Sequence, residues 1–165
     1  RAHCSGGEGM MRTIRRRRAE AKTDYKSRLA LLSSGKARLV LRKTNRYIVA
    51  QIVITDVAQD AVSVTVISKD LLTKGWPSDK QGSLKTRAAA YLTGFLLGTL
   101  AKKTFSEAIL DLGLHRNVHK SRLYAALKGA LDAGLKVPHD AKVLPKEEFL
   151  HVSPEFKKIV EKIKN

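Results

Sequence analysis

The sequence predicts an α+β fold: a mixed sheet made of a three-stranded antiparallel meander plus a parallel fourth strand, with helices packed on it and a basic N-terminal arm. Three observations lead there. Three runs rich in β-branched residues, RLVLR, NRYIVAQIVIT and AVSVTVIS, follow one another across short polar links, the pattern of consecutive hairpins. A long apolar helix pattern, SLKTRAAAYLTGFLLGTLAKKTF, separates them from a short apolar run, EAILDLG; a strand–helix–strand crossover returns such a run parallel to an earlier strand. Finally, a chain of 165 residues, 43% of them hydrophobic, is long enough for one domain with a real core.

Residues 1–13, RAHCSGGEGMMRT, mix glycine, serine and charge without period and are expected to be disordered when free. Apolar groups at Ile14, Ala21, Tyr25, Leu29 and Leu32 then trace a sparse helical stripe, firm over Thr23–Ser33 and stopped by Gly35. Its first half, Arg15–Arg18, is expected to turn helical only on binding. In the first strand Leu39 and Leu41 face one way and Arg38, Val40 and Arg42 the other, so one side of the sheet is apolar and the other partly cationic. Lys43–Arg46 is the hairpin turn, and Val62, Val64 and Val66 share one side of the third strand.

In the long helix Leu84, Ala88, Tyr91, Phe95 and Leu100 make an apolar face, while Ala90, Gly94, Gly98 and Ala101 form a ridge of small residues suited to lying close on a sheet. An internal glycine costs about 1 kcal/mol relative to alanine, so two of them imply a steric demand. SRLYAALKGALDAGL is a second amphipathic helix, capped by Ser121 and stopped at Gly134. SPEFKKIVEKIKN reads as a terminal helix with Ser153 as cap and Pro154 at its first position. The expected division is a basic arm at 1–22 that orders on binding, a globular domain at 23–142, and a C-terminal tail with a short helix at 143–165.

Charge points outward from the chain. Lys and Arg number 32 against 15 Asp and Glu, a net +17 that repels itself unless a polyanion neutralises it. The first 50 residues alone hold 14 basic and 3 acidic side chains. Glu20 and Asp24 are the only acids between Arg12 and Lys43, too few to pair the cations of that stretch as an ordinary salt-bridged face. Guanidinium forks pair bidentately with phosphate and stack on bases, so Arg15, Arg16, Arg17 and Arg18, with Lys22 and Lys36, are candidate RNA contacts. A membrane-bound basic helix fits less well, because the stripe lacks the Trp and Phe of an interfacial anchor. Ala88–Ala101 is too short to span a bilayer, and no apolar leader is visible, so the expectation is a cytoplasmic protein with no membrane contact. The single Cys4 excludes an internal disulfide.

Two further clusters carry chemistry. In RKTNRY, Arg42, Lys43 and Arg46 gather charge, Asn45 offers hydrogen bonds to a base edge or phosphate, and Tyr47 offers a stacking ring. In LHRNVHKSRLY, His115 and His119 are four apart but have no third ligand nearby, so no metal is expected; Arg116, Lys120 and Arg122 make a second phosphate-binding patch. Three strands, helix, strand, helix is also the outline of ribonuclease-H-like metal-dependent nucleases. Those need converging carboxylates, and Asp56, Asp70 and Asp111 form no evident site, so no catalytic residue and no cofactor is assigned. A nonspecific nucleic-acid packaging protein is the remaining alternative.

The stretches RRRRAEAKTDYKSRLALLSSGKARLVLRKTNRYIVAQIV, AAAYLTGFLLGTLA, AILDLGL and LKGALDAGLKVPHD, taken in order, resemble the archaeal and eukaryotic branch of large-subunit ribosomal protein eighteen, over residues 12 to 142. That resemblance implies an α+β core, no catalysis, and binding of 5S ribosomal RNA in the central protuberance of the large subunit. It further implies attachment of 5S RNA to the large-subunit rRNA, beside the other 5S-binding protein and neighbouring central-protuberance proteins. Carried over by position, the implied contacts are Arg15–Arg18, Tyr25 and Arg28, and Arg38, Arg42, Lys43, Asn45 and Arg46. Loop Arg116–Arg122 matches only in place and basicity, and neither RAHCSGGEG nor the tail beyond Lys142 follows the family pattern.

Overall fold

The computed structural model describes residues 13–56, 59–146 and 155–164. Residues 1–12, and the expected cap Ser153 with Pro154, lie outside the described residues. The chain opens with one turn, α1 (Arg16–Ala19), and a second helix, α2 (Tyr25–Ser33). Asp24 starts α2: its Oδ1 accepts from the amides of Lys26 and Ser27, and its Oδ2 from the Ser27 hydroxyl. Those bonds, the Ser27 hydroxyl first, hold the Asp24 carboxyl below its ordinary value. Gly35 ends the helix at φ +65°, as expected from the sequence. The apolar stripe does not enter the core, however. No α2 residue is fully buried and Leu29 is 69% exposed.

β1 (Arg38–Lys43), β2 (Ile48–Asp56), β3 (Gln59–Ile67) and β4 (Ile109–Asp111) form one sheet in the order β3–β2–β1–β4. The meander is antiparallel and β4 lies parallel to β1, pairing Arg38 with Ile109 and Val40 with Asp111. Thr44 closes the hairpin turn: its amide and hydroxyl both donate to the Tyr47 carbonyl, and the Tyr47 amide donates back to the hydroxyl. Leu39, Leu41, Ile48, Ala50 and Ile52 occupy the covered face at full burial. Each large aliphatic there contributes about 1.5–3 kcal/mol by leaving water.

The valine alternation in β3 breaks. Ile52 pairs with Val64 but Val53 pairs with Val62, so Ser63 is an extra residue in the ladder. The bulge moves Val62 onto the opposite face, where it is 53% exposed, while Val66 is buried and Val64 partly so.

Helix α3 (Arg87–Ala101) begins at Thr86, whose hydroxyl accepts from the Ala89 amide. It is buried along nearly its whole length, the exception among the expected face residues being Leu100 at 45% exposure. Its small-residue ridge meets α4 (Arg122–Asp132) rather than the sheet. A Cβ at Gly94 would stand 1.9 Å from the Ala126 carbonyl oxygen, and one at Gly129 would stand 2.1 Å from that of Tyr91. Two backbones approach here as only glycine permits, which is the steric demand the ridge announced. Ser121 holds the N-cap position of α4 without a capping side-chain bond, and Gly134, at φ +107°, stops the helix as expected. Helix α5 (Glu155–Lys164) adds Phe156, Ile159 and Ile163 to the same core, the Phe156 ring 5.4 Å from that of Tyr91. No described helix is long and apolar enough to cross a membrane.

Candidate nucleic-acid interface

The sheet face away from α3 carries charge, and the structure divides the expected cations into two groups. One group turns inward. Arg38 is 4% exposed: its Nη1 donates to Asp111 Oδ2 at 3.2 Å, and its Nη2 to Asp60 Oδ1 at 2.7 Å and Thr55 Oγ1 at 3.0 Å. Arg42, half-buried, donates from Nη2 to Asp111 Oδ1 at 2.9 Å and from Nη1 to the Asp111 carbonyl at 2.7 Å. Arg28 on α2 completes the row with a 2.7 Å bond to Asp60 Oδ2. Three guanidiniums and two carboxylates thus alternate as Arg28, Asp60, Arg38, Asp111, Arg42.

Burial would push the Asp60 carboxyl up, but bonds from Thr55, Arg28 and Arg38, with the Arg38 charge, outweigh it and hold the group below its ordinary value. Arg38, placed at the RNA by the resemblance, is therefore an internal anchor whose charge is matched within the fold. Its position on the cationic side of β1 was legible; that Asp60 and Asp111 close over it was not, since both lie far along the chain.

The second group faces solvent. Arg15–Arg18 and Lys22 are exposed on and around α1, steadied by local contacts: Arg15 lies 4.9 Å from the Tyr25 ring centroid, Arg17 Nε donates to Thr23 Oγ1, and Glu20 pairs with Arg16 and Lys22. At the hairpin turn Lys43, Asn45 and Arg46 are exposed, and Lys85 Nζ donates to the Asn45 carbonyl. Tyr47 is half-buried and packs against the core, leaving only part of its ring for stacking. Arg116 and Lys120 are exposed on the loop between β4 and α4, and Arg122 is exposed at the first position of α4. None of Lys43, Arg46, Arg116, Lys120 or Arg122 forms an ion pair with a described carboxylate.

Tertiary structure joins these sequence-distant patches. The Lys43 amide donates to His115 Nε2 at 3.1 Å, tying the β4–α4 loop to the end of β1. Burial, with the neighbouring Arg42 and Lys43 charges, pushes the His115 imidazole below its ordinary value of 6.5. The arm with α2, and the same loop with α4, enclose a groove of about 680 Å³, between Arg17, Lys22, Ser27, Arg28 and Leu31 on one side and Leu112, Leu114, Asn117 and Tyr124 on the other. Asn117 and Tyr124 were not singled out in the sequence, and no pattern there marks them. Lys36 is not brought to this region. It pairs with Glu107 at 3.0 Å at the opposite end of β1, roughly 20 Å away by strand rise.

Two of the three carboxylates considered for a nuclease, Asp70 and Asp111, have other work. Asp70 accepts from the Ile67 amide, Asp111 holds two arginines, and no group of three potential metal ligands occurs among the described residues.

The family model described as ribosomal large subunit proteins 60S L5 and 50S L18 matches residues 10–106 and 99–140, which include the arm, the sheet, α3 and α4. A relative from Korarchaeum cryptofilum, named large ribosomal subunit protein uL18, is 51% identical over 134 residues, 81% of this chain and 67% of the relative. Relatives of the same name from Methanoculleus marisnigri and Methanothermobacter thermautotrophicus are 48% and 47% identical, covering 82% and 80% of this chain and 75% and 67% of their own. By these matches, the chain belongs to the family of ribosomal large subunit proteins 60S L5 and 50S L18.

Proposed function

We propose that this chain binds 5S ribosomal RNA and helps attach it to the large-subunit rRNA in the central protuberance. Membership of a family of ribosomal large-subunit proteins makes it a structural component of the ribosome and not an enzyme. The reading rests on one observation: Arg28, Arg38 and Arg42 are neutralised inside the fold, whereas the cations of the arm, the hairpin turn and the β4–α4 loop, apart from Arg16 and Lys22, which share Glu20, pair with no described carboxylate and are open to an external polyanion. Arg15–Arg18, Lys22, Lys43 and Arg46 are assigned to phosphates, as are Arg116, Lys120 and Arg122. Asn45 is assigned to a base edge, and Tyr25 and the open part of Tyr47 to stacking. Recognition is then mainly of RNA shape and backbone, with few base contacts for selectivity. Protein neighbours in the protuberance, including the other 5S-binding protein, belong to the same proposal.

Competition of labelled 5S RNA against transfer RNA at several salt concentrations tests it. With about 6 to 10 phosphates contacted, affinity falls by about three to five orders of magnitude between 50 and 200 mM salt, by the rule for duplex DNA. Preference for 5S RNA must survive at the higher salt. Equal competition by transfer RNA and by DNA identifies a nonspecific packaging protein instead.

A further inference from the structure

We propose that the groove between the arm and the β4–α4 loop receives a single nucleotide extruded from the stack of the bound RNA. The inference rests on the RNA-binding reading above and adds a site to it. At about 680 Å³ the groove falls within the roughly 300–1,000 Å³ of pockets that enclose a small organic ligand, far more room than a phosphate oxygen needs.

Its chemistry is that of a nucleotide cut in section. Leu31 and Leu112 offer apolar surface to a base. Arg17 and Lys22 stand among the lining residues as cations for the phosphate. For the base edge there is Asn117, whose Oδ1 accepts from the Tyr124 hydroxyl. That bond fixes the amide and leaves its NH₂ group to donate to a base carbonyl or ring nitrogen. Arg42, also in the lining, is held in place by Asp111, with Gly113 packed against its guanidinium. Single-stranded nucleotides displayed in loops and bulges are the elements that proteins read this way, because unstacking them costs little.

The two walls come from separate elements, so each can be filled independently. Ala30 on α2 and Leu114 on the loop both line the groove and are both exposed, which makes Ala30→Trp and Leu114→Trp compatible with folding. The experiment has two arms, both with the full chain and a 5S RNA transcript. Ultraviolet cross-linking of the wild-type complex followed by peptide mass spectrometry is expected to attach one nucleotide within residues 110–124. Each tryptophan variant, checked for an unchanged thermal midpoint, is expected to bind 5S RNA about tenfold or more weakly, the loss of one stacked base, with the salt dependence unaltered. Wild-type binding with no cross-link in that segment, or folded variants that bind as tightly as wild type, overturns the groove proposal and leaves 5S binding standing. A wild-type chain that does not distinguish 5S RNA from transfer RNA overturns both.

Discussion

Arg38 and Asp111 meet across the parallel β1–β4 pair, Nη1 to Oδ2 at 3.2 Å, and Asp111 uses its other oxygen for Arg42. In the register Val40 stands opposite Asp111, so Arg38 and Arg42 flank it by two residues on either side along β1, on one face of the sheet. A single carboxylate from a three-residue strand thereby fixes two guanidiniums, and its Oδ1 also accepts the Gly113 amide that begins the β4–α4 loop.

Removing that carboxylate leaves buried Arg38 with Asp60 as its one carboxylate partner and half-buried Arg42 with none among the described residues. Asp111→Ala is expected to destabilise the chain by about 3–5 kcal/mol, as loss of one partner of a buried ion pair does. Arg38→Lys is expected to destabilise as well, since one ammonium on a flexible stem cannot reproduce the planar fork that serves Asp111, Asp60 and Thr55 together. Urea unfolding measures both, and a destabilisation below about 1 kcal/mol for Asp111→Ala contradicts the anchoring role.

Glycines separate two kinds of constraint. Gly94→Ala drives a methyl into the Ala126 carbonyl and is expected to cost about 3 kcal/mol or more, because backbone must move. Gly35→Ala meets nothing within 4 Å and carries only the left-handed backbone penalty, about 1–2 kcal/mol. Thermal midpoints should therefore rank Gly94→Ala well below Gly35→Ala.

In the proposed function the arm acts on binding and not on folding. Replacing Arg15–Arg18 with glutamine removes four exposed cations and no buried side chain, so the unfolding midpoint should hold. The plot of log affinity for 5S RNA against log salt should become shallower by about 0.9 for each phosphate that the arm no longer neutralises. An unchanged slope, with unchanged incorporation into large subunits, removes the arm from the interface.

Acid should loosen the loop. His115 accepts the Lys43 amide proton through Nε2, and its folded pKa lies below the ordinary 6.5 because of burial and the Arg42 and Lys43 charges. A lowered folded pKa means that its contribution to stability is complete above pH 6.5 and is lost as pH falls through the folded value. Between about pH 7.5 and 5 the wild type should lose more stability than His115→Gln, measured by thermal unfolding across that range. Parallel curves for the two proteins assign the acid sensitivity to other groups.

The order of elements, the meander, the parallel fourth strand and the stops at Gly35 and Gly134 were all legible in the sequence, because each depends on local periodicity or on backbone conformation near one residue. So was the surplus of cations at the amino-terminal end, which needs only counting. Three matters escaped. The bulge at Ser63 left Val62 outside; the glycine ridge found α4 as its partner; and α2 kept its apolar stripe largely in solvent.

What the amino-acid string determined, then, was which elements form and that their combined charge demands a counter-ion. Only the tertiary structure decided which cations are still available to meet that demand. Alternation along β1 puts Arg38 and Arg42 on one face, but whether that face is wet depends on Asp60 and Asp111, which reach it from β3 and β4. Coulomb attraction depends on distance in space, and for residues tens of positions apart that distance is set by the fold and not by the chain.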